Sequence, residues 1–355
     1  MEKIKRLYIA MLMPLLAIVL SFIVGGLIIL IQGASPIVAF KYLFIGSMGS
    51  PTNIGMTIAK ATPLIYTSLA AAFAYKCGVF NLGGEGQFIM GSIAACVVSL
   101  KIGIEGPFAT ILCLLAGVIV GGLWGLIPGI LKITRGLNEM IVSIMLNYVA
   151  TLFMGVVYTS WLRDGSVPQT AAVPDATKLS KVIPTMRFTW AFVIAILIGL
   201  GIYYFLFYTS MGFKLRAVGI NATASKFNGF PVKRYMLMSF ITSGAIAGIG
   251  GAAELLGTQF RLINGFASGY GFDGVAMALI GQLNPIATMV VANFFAMLRI
   301  GATTMQAATG VRSSVSDIIQ ALVIVFAVAG LAYMKLPAFE SYRNRVFNSK
   351  KKGGK

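Results

Sequence analysis

Long uncharged runs dominate this chain, and they leave lipid as the solvent in which it must fold. A bilayer core of about 30 Å takes roughly 20 apolar residues in a helix. Runs of that kind cover 7–31, 57–76, 86–101, 108–131, 139–160, 189–209, 235–256, 260–282, 286–304 and 317–336. The run at 86–101 is short, and the one at 260–282 is interrupted by glycines and polar residues. Charged residues make up only 11% of the chain, against about 25% in a soluble domain whose surface faces water. The expected fold class is therefore an all-α integral membrane protein with about ten transmembrane helices.

The formal charge of +18 does not point to nucleic acid, because Lys and Arg sit mainly in the gaps between apolar runs. That distribution is the positive-inside bias. Taking 1–6, 76, 132–138, 210–234 and 335–355 as cytoplasmic places 18 of the 28 basic residues on one side. Both termini are then cytoplasmic, 161–188 is external, and 341–355 is a solvated basic tail that carries Lys350, Lys351 and Lys352. The run from Leu7 to Ile31 is too long for a signal-peptide core and is expected to remain as the first span.

Catalytic and metal chemistry are disfavoured. The chain has no histidine, and Cys77, Cys96 and Cys113 lack metal-ligand spacing and read as small buried hydrophobes. No metal, cofactor or enzymatic centre is expected. No G-x-x-x-x-G-K-[ST] run occurs, so any ATP that drives this chain is bound by a partner.

Two Gly-rich stretches stand in corresponding places. Gly78-Val79-Phe80-Asn81-Leu82-Gly83-Gly84-Glu85-Gly86-Gln87 follows one apolar run, and Asn264 to Gly274 follows another; the second includes Tyr270 and Asp273. Such paired interruptions point to a solute site between inverted repeats, here 57–160 and 235–336, within one membrane domain over 1–340. Ordinary Gly-rich turns are the competing reading. Polar groups at membrane depth are costly and usually mark a pathway. The candidates to contact solute are Phe80, Asn81, Glu85, Gln87, Asn147, Tyr148, Asn264, Tyr270 and Asp273. Asn147 either bonds a neighbouring helix or lines the route, and Glu139 and Asp317 can serve as acids at helix starts.

Between the sixth and seventh runs, Asn221 can cap a short helix through Ala222, Ala224 and Phe227. Gly229 then stands at its C-terminal turn, and Pro231 blocks continuation. A capped knob of this kind suits a groove on a partner; a plain connector is the alternative.

Gly78–Gln87, Gly212–Gly229 and the Gly/Ala-rich Ser243–Gly251 together resemble permease subunits of bacterial ATP-binding-cassette importers for branched-chain amino acids, simple sugars and nucleosides. Gly136 to Tyr148 resembles the nucleoside branch. Ile220 departs from that likeness, since related sequences often carry an acid there. The resemblance implies a second permease in a heterodimer, ATPase subunits contacted by Asn221–Gly229, and an external solute-binding lipoprotein. It also implies a bacterial cytoplasmic membrane and a nucleoside cargo. A pentose or other small polar solute, or an ion-driven secondary transporter, are the alternatives. Paired intramembrane acids, which the ion-driven reading wants, are missing.

Overall fold

The computed structural model describes residues 2–101 and 107–333, with side chains described over 16–101 and 108–330. The basic tail 341–355 lies outside the described residues. The chain is overwhelmingly helical. It divides into two units, 1–46 with 301–355 and 47–300.

The first unit holds α1 (Glu2–Ile31), most of α2 (Pro36–Met48) and α13 (Ser314–Tyr333). Gly25 lets α1 approach α13, since a Cβ there would lie 2.5 Å from Ile319 Cγ1. The turn between α1 and α2 uses Gly33 at φ +82°, and the two helices bend by 117°. The apolar pattern had left 36–48 as connection. Pro36 at the first helical position starts a helix there, as its fixed φ favours.

The second unit carries α3 (Pro51–Lys76), α4 (Gly84–Lys101), α5 (Pro107–Arg135), α6 (Glu139–Val156), α7 (Trp190–Tyr208), α8 (Ser210–Ile220), α9 (Ala222–Phe227), α10 (Val232–Glu254), α11 (Tyr270–Ile280) and most of α12 (Pro285–Thr309). Local chemistry sets the boundaries. Ser50 caps α3 by accepting from Asn53 N at 3.1 Å, and Asn138 caps α6 by accepting from Met140 N at 3.0 Å. Glu139 stands in the first turn of α6, as its helix-start reading expects, and pairs with Lys132 at 2.6 Å.

Five helical stretches among the described residues are long and apolar enough to cross a membrane, or six if the bent pair in the first unit counts as one. Length and apolarity alone therefore do not reach ten. The run 260–282 is corrected outright: α10 continues as a π-helical turn over Leu255–Gln259, a loop follows, and α11 has only 11 residues. At about 1.5 Å per residue, α11 is roughly 16 Å long, about half a bilayer core. Gly265 and Gly269 adopt positive φ in that loop, which stops helix formation.

The core of this unit is α4, α5 and α10, packed through glycine. A Cβ on Gly248 would collide with the Gly117 carbonyl, one on Gly125 would lie 2.6 Å from Phe240 O, and one on Gly251 would strike the Phe88 carbonyl. Backbones this close replace the hydrophobic drive that lipid cannot supply.

The segment 162–189 binds the far end of α10. Thr170 N donates to Leu262 O at 3.1 Å, Val173 N to Phe260 O at 2.9 Å, and Leu179 N to Leu256 O at 2.9 Å. Its side chains also reach α4, where Ser99 and Thr177 hydroxyls meet at 2.7 Å. The exposed Asp175 carboxyl is held below its usual range by a hydrogen bond and charge from Lys178. α9 sits at the opposite end of α10, about 34 Å away along the helix axis at about 1.5 Å per residue. The external and cytoplasmic loops expected from charge thus occupy opposite ends of one membrane helix.

Candidate functional site

The two Gly-rich stretches meet. The chain turns back after α3 at Gly78, where φ is +76°, and returns between the helices before α4 begins. Asn81, buried, ties this re-entering loop to two helices. Its Nδ2 donates to Gln87 Oε1 at 3.0 Å and to Ser243 Oγ at 2.9 Å. Ser243 Oγ in turn donates to Ala70 O at 2.8 Å. Asn81 Oδ1 accepts from Gly83 N at 2.9 Å and Gln87 Nε2 at 3.2 Å. The amide of Asn81 is fully used by the protein in this conformation, so its role here is to shape the loop.

Asn147 does similar work from α6. Its Oδ1 accepts from Gly86 N at 2.8 Å, and its Nδ2 donates to Leu82 O at 2.9 Å. The structure thus shows the inter-element bonding that an amide within an apolar run requires. Tyr148, its neighbour, is 63% exposed. Phe80 is exposed too and lies edge-on to Tyr75, with ring centroids 4.9 Å apart.

Glu85 joins the two halves. It stands in the first turn of α4, yet its carboxylate caps α11. Gly269 N donates to Oε1 at 2.8 Å, and Gly271 N donates to Oε2. Gly271 has no room for a side chain, because a Cβ would strike Glu85 N. One buried carboxylate therefore faces the positive N-terminal ends of two short helices, which favour negative charge. From this seam α4 and α11 run opposite ways. α4 climbs to Ser99 beside the 162–189 segment, while α11 descends along α3, with Gly274 against Thr67 and Ala278 against Ala71 and Ala72.

Charged groups line the first turn of α11. Asp273 pairs with Arg299 of α12 at 2.6 Å. Lys60 of α3 donates to Tyr270 Oη at 2.8 Å. Lys60 lies about 14 Å along the axis from the start of α3 and about 24 Å from its end, an ammonium inside a helix of the packed unit. It and Arg299 are both half-buried. Lipid contact for such groups costs several kcal/mol, so the accessible atoms of each belong against water or protein. Asn264 is not part of the seam. It is exposed beside Ile263, which bridges Gln169 at the far end of α10.

Lys60, Ser243 and Arg299 were missed in the sequence. Lys60 and Arg299 do carry a signal there, since a charge inside an apolar run is as telling for a base as for an acid; Ser243 carries none.

At the other end, Asn221 Oδ1 accepts from Ala224 N at 2.9 Å and caps α9 as expected. Gly229 takes φ +78° just past the helix. Ala222 is half-buried, Ala224 is exposed, and Phe227 is 89% exposed. α8, which leads into α9, is seated on α3: a Cβ on Gly219 would strike the Lys76 carbonyl, and Gly219 Cα lies within 3.1 Å of where a Cβ on Gly78 would stand.

A re-entrant seam, two helices that start from it and run opposite ways, and a protruding capped helix suit a transport machine. A family model described as branched-chain amino acid transport system / permease component matches residues 53–328. The chain belongs to this family. The permease is 36% identical over 330 residues to a guanosine ABC transporter permease protein of Bacillus subtilis, covering 91% of this chain and 94% of the relative. It is 34% identical over 360 residues to a nucleoside ABC transporter permease protein of Lactococcus lactis, covering 97% and 98%. A glucose ABC transporter permease protein of Haloferax volcanii is 30% identical over 327 residues, covering 89% of this chain and 86% of the relative. The family match spans both halves of the seam, from α3 to α13.

Proposed function

We propose that this permease carries nucleosides inward across a bacterial cytoplasmic membrane, as a subunit of an ATP-binding-cassette importer. The observation that carries the reading is near full-length likeness to two permeases named for guanosine and nucleoside transport. The permease is not itself an enzyme and uses no cofactor of its own; ATP is bound and hydrolysed by partner subunits seated against α9. A second permease completes the membrane unit as a heterodimer, and a solute-binding lipoprotein docks on the external face formed by 162–189. In this reading the opposed helices α4 and α11 mark an inverted repeat in one membrane domain, and their Gly-rich loops flank the route.

The chemistry of the seam suits a neutral solute. The two acids of the Gly-rich stretches are engaged, Glu85 by backbone N–H groups and Asp273 by Arg299, so neither of these two presents a free negative charge that would trap a cation. A second reading keeps the machine and exchanges the cargo for a sugar, and the glucose-named relative favours it. Nucleosides and sugars share a ring with neighbouring hydroxyls. Isotope uptake by the reconstituted assembly, with guanosine, adenosine, leucine and glucose in parallel, decides between them. Robust import of leucine or glucose without either nucleoside would refute the nucleoside assignment.

Orientation is tested separately. With the termini and α9 inside, a membrane-impermeant thiol reagent added outside should label Ser166→Cys and spare Ser225→Cys in a background lacking the native cysteines. Ser225 lies on the buried face of α9, so Thr223→Cys, which is exposed, provides the accessible inner control after permeabilisation. Labelling of Thr223→Cys from outside would invert the topology.

A further inference from the structure

Two polar groups near the seam are left incomplete by the chain itself. Lys60 carries three N–H donors, and one of them bonds Tyr270 Oη at 2.8 Å. Among the described residues it forms no ion pair, although Lys132, Lys178 and Arg299 each do. Glu254, 3% exposed at the end of α10, accepts from Gln259 Nε2 at 3.0 Å through Oε1, while no partner of its buried Oε2 meets hydrogen-bond geometry, although the Thr258 side chain lies close to the carboxylate. Lys60 and Glu254 lie within electrostatic range of each other, and Tyr270 within range of Glu254. Glu254 also begins the π-helical turn Leu255–Gln259, a departure from α-geometry that often accompanies functional sites. Gln259 Nε2 also donates to Phe266 O at 3.0 Å, which fixes the turn against the Asn264–Gly274 loop.

An unpaired, half-buried ammonium and a buried, half-satisfied carboxylate are each unfavourable. A group that accepts from one and donates to the other would complete both. We propose that Lys60, Glu254 and Tyr270 form a subsite for neighbouring hydroxyls on the solute's ring. One hydroxyl accepts from Lys60 Nζ; the other donates to Glu254 Oε2. The Tyr270 ring, with Lys60 Nζ 4.9 Å from its centroid, holds the ammonium in place. This rests on the reading that the cargo is a nucleoside. It assigns recognition of the sugar, rather than the base, to the permease, and it does so through residues on α3 and α10 that flank the α11 end of the seam.

The test compares maximal uptake of guanosine and 2′,3′-dideoxyguanosine by the reconstituted assembly, with the external binding protein saturating so that its own preference drops out. In the parent, guanosine should be moved at least about tenfold faster, the scale of one charge-assisted hydrogen bond. Lys60→Met should lose about that factor for guanosine and move both solutes at similar rates. Glu254→Gln should narrow the preference, and Lys60→Arg should largely restore it. Assembly is checked by co-purification of all subunits; if Lys60→Met fails to assemble, Glu254→Gln and Lys60→Arg carry the comparison. A parent that imports no guanosine would refute the cargo reading. A parent that imports guanosine but shows no hydroxyl preference, or variants that keep the full preference, would overturn the subsite while leaving that reading intact.

Discussion

Replacing Gly251 with valine is expected to leave almost no folded protein in the membrane. A Cβ at Gly251 would overlap the Phe88 carbonyl, and a main-chain carbonyl cannot swing aside as a side chain can. Relief would require α4 and α10 to separate. That separation would also open the contacts at Gly91 and Gly248, and those of Gly117, Gly121 and Gly125 on α5, because the same three helices share them. Overpacking at one site costs about 1–3 kcal/mol, and a shift that loosens several contacts multiplies that. The seam depends on this packing, since Ser243, which holds Asn81, lies on the same helix. Gly201→Ala is the control. No atom lies within 4 Å of a Cβ built there, and alanine should gain up to about 1 kcal/mol in helix propensity. Thermal unfolding in detergent, read by size-exclusion chromatography, separates the two. A Gly251→Val protein that melts with the parent would refute the close-packed account.

Ala224→Trp is expected to abolish transport while insertion and folding remain normal. Ala224 is exposed on α9 and fills no space within the chain, so added bulk there can only meet something outside it. α9 is suited to transmit a push. Asn221 caps it, and α8 before it rests on the main chain at Lys76 and Gly78, at the start of the loop that carries Asn81. Movement of α9 therefore has a packed route toward the seam, through backbone contacts rather than flexible side chains. Uptake by the reconstituted assembly and solute-stimulated ATP hydrolysis are the measurements, with uptake falling at least about a hundredfold and stimulation lost. Unchanged uptake at equal membrane abundance would remove α9 from the coupling contact.

Much of this architecture was legible because lipid makes simple demands. Apolar runs near the bilayer length became α5, α6, α7, α10 and α12, whose spans pass the length and apolarity test. The short helix after Asn221 and its glycine stop were also readable, because capping is local chemistry between residues three apart. α2 was hidden, since 13 residues beginning at a proline look like a connector unless the rest of the fold supports them. The run at 260–282 misled for the opposite reason: average apolarity ignored the glycines that break it into a loop and an 11-residue helix.

The site divides along the same line. Sequence alone marked the polar residues of two Gly-rich stretches set among apolar runs, where a polar group must find a partner or a function, because hydrocarbon offers no hydrogen bonds. Which of the two each found was decided only by tertiary structure. Asn81, Gln87 and Asn147 bond the protein itself, Glu85 closes the end of a helix nearly two hundred residues away (a span no local pattern encodes), and Asn264 falls outside the seam altogether. Lys60, Glu254 and Arg299 were brought together around α11 by packing between helices far apart in the chain. Period and composition report what solvent a residue faces; the partner a polar atom meets depends on how close neighbouring backbones come, and here glycines on α4, α5 and α10 set that distance.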